Sequence, residues 1–496
     1  MGVPAALAQE PPGPDARDPI ESSVVKIFAR QSFPDTARPW TSLAPSDVTG
    51  SGVVIEGRRI LTNAHVVLYS RQVQVQDEES GDKISASVEA IDPGIDLALL
   101  KLDGEAFFAR HSSLSRVASL PDIRSPVMAY GYPNGGNGLS VTKGIVSRIE
   151  FVDYNYPVSG LRIQIDAAIN PGDSGGPTVM DGKMVGLTFS ALRGSQNIGY
   201  IIPDEEIELF LAAARGGRYQ GKPMMNDEFQ TLENPALRQF LKLPGDVHGI
   251  VVARPYKDDK AYPLKRWDVI TRIGDAPVDD QGMIRIKAGL RVGFLYEVQK
   301  AARDDTLPLV LYRQGQERHV DMPLFHDKPL LMDWFSGEYP SYFIFGPLVF
   351  AEASWDFLSS EVSGDNGVGV YNWLSQRGSP LVGRRGEGPA FRGERLVIVS
   401  SPLFPHKLSE GYGNPVGQVL QAVNGISVKN LGHLVEILRD CRDDFVSFTF
   451  AEHWSESIVL PRAEALAATE GILDDNGIRN QGSSDMLAIW NKESPP

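Results

Sequence analysis

Three short segments hold the residues able to do chemistry together. Leu61-Thr62-Asn63-Ala64-His65-Val66-Val67 ends an apolar run in a small-residue corner that presents one histidine. Asp92-Pro93-Gly94-Ile95-Asp96-Leu97-Ala98-Leu99-Leu100 places an acid at the mouth of an apolar strand. Asn170-Pro171-Gly172-Asp173-Ser174-Gly175-Gly176-Pro177 sets a serine in a glycine-dense turn. A serine hydroxyl is a poor nucleophile until a neighbouring imidazole accepts its proton. The imidazole needs a carboxylate to hold its tautomer and offset its charge. The oxyanion formed in acyl transfer needs preorganised backbone N–H donors. These needs assign His65 as base, Asp96 as orienting acid and Ser174 as nucleophile. Gly172, Asp173 and Ser174 form the oxyanion segment, with the N–H groups of Gly172 and Ser174 as donors. Each segment alone is a weak signal; the order His, Asp, Ser is the stronger one.

Gly172-Asp173-Ser174-Gly175-Gly176 also fits the nucleophile elbow of α/β-hydrolases. That elbow leads into a helix and its partners follow the serine. Here Pro177 and the turn Asp181-Gly182 follow, while His65 and Asp96 lie upstream, so the elbow fails on both counts.

The elements around these segments read as short strands. Val24–Ala29, Ser51–Ile55, Arg59–Thr62, Gln72–Gln76, Ala86–Ile91, Leu97–Leu102, Val127–Tyr130, Gly144–Ile149, Leu161–Ile165, Thr178–Met180, Met184–Phe189 and Gly199–Ile202 are β-rich runs broken by Gly, Asp and Pro. Strands at this spacing predict an antiparallel barrel or sandwich. Pro203–Arg215 reads as a helix stopped by Gly216-Gly217. The expected order is a disordered segment 1–20, a protease domain 21–218, a linker and first α+β module 219–330, a second module 331–473 and a flexible tail 474–496. Ser375–Gly393 reads as a mobile Gly/Arg-rich insertion. The turn Asn424-Gly425, a helix Leu431–Asp440 and a strand Val446–Phe450 punctuate the second module.

The three segments resemble the HtrA/Deg family of trypsin-like serine proteases, closest to its plant-type branch. The resemblance covers about residues 22–215, and Asn197–Pro203 is similar to the family's last strand before its helix. It implies a mainly β chain: a chymotrypsin-like double β-barrel followed by two PDZ-like α+β domains, the second irregular. It implies an ATP-independent endopeptidase acting on unfolded or partly unfolded proteins, assembled as trimers or multiples of them. Most members carry Asn where this chain has Asp173. The resemblance places Ala168 at the base of the S1 pocket and Leu187, Thr188 and Phe189 along its wall. This implies cleavage after small or aliphatic residues. Leu264-Lys265-Arg266-Trp267-Asp268-Val269-Ile270 and Gly274-Asp275-Ala276-Pro277-Val278 are similar to PDZ stretches, with Trp267 where the family has Gly. Val247, His248, Gly249 and Ile250 fall where a peptide C-terminal carboxylate is expected, captured by β-strand addition. A structural or assembly role is the alternative for this module, and the favoured one for the second. For the whole chain, the alternative is a PDZ scaffold or chaperone with a mostly latent protease fold.

Composition narrows the partners. The net charge of −15 disfavours nucleic acid and anionic membrane. The single cysteine allows no internal disulfide and no thiolate zinc site. No apolar run is long enough to span a membrane. No phosphate-binding Gly-x-x-x-x-Gly-Lys-Ser/Thr is present. The remaining histidines lack ligand spacing, so no cofactor or metal is expected. Ala6-Leu7-Ala8 resembles a signal-peptidase site, which points to an extracytoplasmic location.

Overall fold

The computed structural model describes residues 18–492 except 77–80, Ala118, Asn137, 155–156, 192–198, 216–220 and 364–366. The Ala6-Leu7-Ala8 site lies outside them. The chain divides into two compact units: residues 1–31 with 47–327, and residues 32–46 with 328–496.

The first unit begins with two closed barrels. β1 (Val24–Gln31), β2 (Ser46–Ile55), β3 (Arg59–Thr62), β4 (Ser70–Gln76), β5 (Lys83–Asp92) and β6 (Leu97–Leu102) close in the order β1-β2-β3-β6-β5-β4. β7 (Pro126–Gly131), β8 (Ser140–Asp153), β9 (Ser159–Ile165), β10 (Pro177–Met180), β11 (Lys183–Ala191) and β12 (Gly199–Pro203) close as β10-β11-β12-β9-β8-β7. The alternation of branched apolar residues builds these interiors: Ile27, Ile60, Val75 and Leu100 fill the first, and Val146, Leu161, Ile163 and Ile165 the second. Asp181 and Gly182, both at positive φ, make the tight turn that joins β10 to β11. The predicted helix runs from Asp204 to Arg215.

A third sheet follows: β13 (Glu228–Gln230), β14 (Ile250–Arg254), β15 (Val269–Ile273), then Thr306–Arg313 and Gln316–Pro323. Its apolar face is continuous with the second barrel, since Val127 and Ile163 share one buried cluster with Val252, Ile270 and Leu309. A buried ion pair reinforces this junction. Lys222 Nζ lies 2.8 Å from Glu206 Oε2 and donates to Ser159 O at 2.7 Å. Glu206 Oε1 accepts from Leu161 N at 2.8 Å and from Gln299 Nε2 at 3.2 Å. Removing one partner leaves a buried charge uncompensated. Lys222→Met is therefore expected to lower unfolding free energy by about 3–5 kcal/mol, read from urea denaturation of the full chain. A loss under about 1 kcal/mol would mean that water already screens the pair.

The second unit packs a three-stranded sheet (Tyr342–Phe345, Leu348–Glu352, Val397–Val399) and a four-stranded sheet (Ile426–Ser427, Leu420–Val423, Phe445–Phe450, Ile458–Pro461) around helix Leu431–Asp440. Asn424 and Gly425, at φ 46° and 77°, form the expected turn. Asn430 Oδ1 caps the helix by accepting from His433 N at 2.8 Å.

Three expectations need correction. The N-terminal segment is ordered before residue 20: Pro19–Ser23 is a helical turn capped by Asp18, whose carboxylate accepts from Ile20 N. Ser375–Gly393 is folded, because Leu381 is buried and the Arg384 guanidinium is held by Glu394 and Glu387. Residues 474–492 are not a frayed tail. Ser484–Trp490 is a helix that buries Met486 and sets Trp490 against Phe343 at 5.0 Å.

Candidate active site

β3 ends in a single helical turn, Ala64–Val67. Ala64, Val66 and Val67 are buried in it, while the His65 ring is half exposed. The turn between β5 and β6 brings Asp96 to the ring. Asp92 Oδ1 shapes that turn by accepting from Gly94 N and Ile95 N, and Asp96 takes a left-handed φ of 60° that aspartate tolerates. Asp96 is 6% exposed. Its Oδ2 lies 2.7 Å from His65 Nδ1, and its Oδ1 accepts from His65 N at 2.9 Å. One carboxylate thus fixes both the ring and the backbone of the histidine. Burial pulls the His65 imidazole down, but the hydrogen bond to Asp96 and its charge outweigh this, and the net shift is upward.

Ser174 lies in the turn before β10. Its Oγ donates to Phe189 O at 3.3 Å, and among the described residues no hydrogen bond joins it to His65. The turn is held by its backbone. Ser51 N donates to Ser174 O at 2.8 Å, Gly175 N to Thr188 O at 2.8 Å, and Thr188 N to Gly176 O at 2.8 Å. Asn134 N donates to Pro171 O at 2.6 Å. In a trans peptide the carbonyl and the following N–H point opposite ways, so the Gly172 N–H faces away from Asn134. Neither Gly172 N nor Ser174 N donates to an acceptor among the described residues. Two unspent donors beside a serine match what an oxyanion requires.

Gly172 cannot carry a side chain here. It has φ 103°, and a Cβ would stand 2.5 Å from Tyr132 O and 2.7 Å from Asn134 N. Gly172→Ala is expected to lower kcat about 10²–10³-fold by displacing one donor, with Ser174 still present. Steady-state kinetics on a fluorogenic peptide checks this; an unchanged kcat would remove Gly172 from the site.

Asp173 is 5% exposed and faces inward. Its Oδ2 accepts from Asn170 N at 2.8 Å and ties the turn, while Oδ1 is buried with no partner among the described residues. Burial raises its carboxyl above the ordinary range against the opposing Asn170 contacts. Asp173 therefore braces the segment, and the flanking residues bring the N–H donors.

The expected pocket residues separate. Ala168 is exposed, and its carbonyl accepts from Thr142 Oγ1 at 2.9 Å. Phe189 is 8% exposed, stacked on Tyr154 at 5.6 Å with the Arg162 guanidinium 4.7 Å from its ring. Leu187 is in the barrel core, and Thr188 is fully buried with its hydroxyl 3.1 Å from that of Thr178. Strand alternation puts these two adjacent side chains on opposite faces, and both faces are buried; Thr188 holds the Ser174 turn through its backbone.

The Val247–Ile250 expectation is corrected. β14 is an interior strand: Val251 and Val252 pair with β13, and Ile250 and Val251 with β15. Strand addition needs an unpaired edge. The backbone donor proposed for a peptide carboxylate is also occupied, since Gly249 N donates to Asp280 Oδ1 at 3.2 Å. His248 Nδ1 lies 3.0 Å from Asp280 Oδ2, and Arg238 donates to Val247 O at 2.7 Å.

The sequence reading missed several supports. Asn63 Nδ2 donates to Asp96 O at 2.9 Å. Ser51 Oγ donates to Gly172 O at 2.7 Å and accepts from Tyr132 N at 2.9 Å. The Gly50-Ser51-Gly52 step inside an apolar strand was the available signal for the second.

Residues 50–187 match the trypsin-like peptidase domain, and residues 335–485 match the PDZ domain. The PDZ match thus falls on the module that the sequence presents as the irregular one. The chain is 34% identical to Protease Do-like 2, chloroplastic, of Arabidopsis thaliana, over 94% of this chain and 75% of that one. It is 32% identical to Protease Do-like 4, mitochondrial, of the same plant, over 94% and 85%. Among solved structures it is similar to the HtrA-type protease AlgW with decapeptide, at 24% identity and TM-score 0.48, covering 63% of this chain and 98% of that one. With a trypsin-like domain, a PDZ domain and this extent of likeness, the chain belongs to the Do-like (Deg/HtrA) serine proteases and is a serine endopeptidase.

Proposed function

We propose that His65, Asp96 and Ser174 carry the peptidase chemistry, with the N–H groups of Gly172 and Ser174 receiving the oxyanion. The observation that carries this reading is the two-point grip of Asp96 on His65, at Nδ1 and at the backbone N–H. It holds the imidazole with Nε2 free to accept a proton. In the reaction, Ser174 Oγ leaves the Phe189 carbonyl, gives its proton to His65 Nε2 and attacks the peptide carbonyl carbon. The imidazolium, stabilised by Asp96, then protonates the leaving amine. Water repeats the sequence on the acyl-enzyme and regenerates Ser174.

The direction of the His65 shift sets a pH test. A general base must be neutral, and a raised pKa keeps it protonated to higher pH. The acid limb of kcat/KM is therefore expected above the free-imidazole value of about 6.5. A limb at or below that value would contradict the proposed Asp96–His65 coupling.

Substrates in this reading are unfolded or partly unfolded proteins cleaved after Val, Ala, Ile or Leu. Ala168 supports an uncharged P1 pocket, since an acid there would select Arg or Lys. Discrimination among aliphatic side chains is small, about 1–3 kcal/mol, so cleavage is broad. Mapping the new N-termini in β-casein digests tests this; cleavage confined to Lys or Arg would reverse it. PDZ-type recognition of polypeptide substrates and assembly as trimers or their multiples complete the proposal, the second checked by light scattering. A mostly latent scaffold is the second reading, favoured by one observation: Ser174 Oγ rests on Phe189 O rather than on the imidazole.

A further inference from the structure

The helical turn that carries His65 is four residues long, so its last carbonyls have no partner within the helix. One side chain supplies the missing donor. Gln31 Nε2 donates to His65 O at 2.7 Å and to Val66 O at 3.2 Å. Gln31 is the last residue of β1 and is 4% exposed. The register against β4 shifts between Arg30 and Gln31, and a bulge of this kind re-aims a strand side chain. A long polar side chain is thus turned inward to cap the turn that bears the base.

The next residue belongs to the second unit. Within that unit, Tyr339 Oη donates to Ser32 O at 3.2 Å, one peptide from Gln31. Ser401 Oγ donates to Ala37 O at 2.7 Å. Trp40 packs between Tyr342 and Phe404, with ring centroids 6.1 Å and 5.9 Å away, against the cluster of Ile344, Val349, Ile472 and Ile478. Asp35 shapes the segment by accepting from Ala37 N and Arg38 N at 3.0 Å. The connection between β1 and β2 is therefore core material of the second unit, anchored at its centre by an indole and at its start by a hydroxyl.

We infer that Gln31 is a positioning residue for His65, and that the second unit sets it by holding the segment Ser32–Ser46. The inference rests on the reading of His65 as the general base. Loosening the segment at Ser32 frees the end of β1, Gln31 leaves the two carbonyls, and the turn bearing His65 loses its cap. The second module then governs the peptidase through a chain connection and needs no bound ligand to do so.

The test uses the full chain and four variants: Gln31→Leu, Trp40→Ala, Tyr339→Phe and Ser174→Ala. Gln31→Leu keeps the volume and removes the donor. It is expected to lower kcat about tenfold or more, to leave KM near the wild-type value, and to move the acid limb of fluorophosphonate labelling to lower pH. Trp40→Ala and Tyr339→Phe are expected to change kcat in the same sense. The double variants with Gln31→Leu should be no worse than Gln31→Leu alone, because both act through one contact. If Trp40→Ala melts the second unit, seen as a lost thermal transition, the Gln31→Leu/Tyr339→Phe cycle decides. Wild-type kcat and pH profile in Gln31→Leu overturn the positioning role. A full effect of Gln31→Leu with additive or silent Tyr339→Phe overturns control by the second unit. Labelling of wild type and none of Ser174→Ala, in the same series, shows that the catalytic reading stands whichever way Gln31 falls.

Discussion

Ser174→Ala is expected to lower kcat on a fluorogenic peptide by on the order of 10⁶-fold, with KM close to wild type. The alanine keeps its backbone N–H and the Gly172 donor, so peptide binding and part of the oxyanion stabilisation survive. What disappears is the covalent step, because no other hydroxyl occupies the turn between Gly172 and Gly176. The remaining rate should also lose the burst of acyl-enzyme formation. A variant that retains a tenth of wild-type kcat would place the nucleophile elsewhere.

Asp96→Asn is expected to cost on the order of 10⁴-fold in kcat while the protein remains folded. The cause lies in the two contacts. Asp96 Oδ1 accepts from His65 N and Oδ2 faces His65 Nδ1. An asparagine keeps an oxygen for the backbone N–H and turns its amide N–H₂ toward Nδ1. Nδ1 must then accept, the ring proton moves to Nε2, and the imidazole can no longer take the proton of Ser174. Loss of the carboxylate also removes the contact and charge that raise His65, so the acid limb falls toward its ordinary position. Steady-state kinetics with a pH series reads both effects. A variant within tenfold of wild type, with an unmoved limb, would make Asp96 a purely structural turn residue.

What could be read from sequence divides along a physical line. His65, Asp96 and Ser174 were legible because each stands in a short contiguous segment whose neighbours state its local geometry: a helical turn, a tight turn, a glycine-rich loop. The barrel strands were legible from β-rich runs broken by Gly, Asp and Pro, and the Leu431–Asp440 helix lies where the sequence places it, after the Asn424-Gly425 turn. Pairing partners were not legible. Val247–Ile250 has the composition of a peptide-binding strand, yet whether a strand is an edge depends on β13, about twenty residues earlier in the chain, and on Asp280 filling the carboxylate position. Leu187 and Thr188 stand in the expected strand, but both faces of that strand are covered and both side chains are buried. Trp40 was illegible for the same reason on a larger scale. Its Pro- and Ser-containing surroundings resemble any surface loop, and its partners Tyr342 and Phe404 lie far along the chain from it. Ser484–Trp490 hid because its apolar run is short and set between polar stretches, although Met486, Ile489 and Trp490 anchor it.

The most direct measurement is to expose the full-length protein to a fluorophosphonate, which phosphonylates only an activated serine, and to locate the adduct by peptide mass spectrometry. One adduct is expected, on the peptide containing Ser174, with labelling that disappears in Asp96→Asn and in mild acid as His65 becomes protonated. An adduct on any other serine, or undiminished labelling of Ser174 when the carboxylate is gone, would contradict the proposal that these three side chains act as one device.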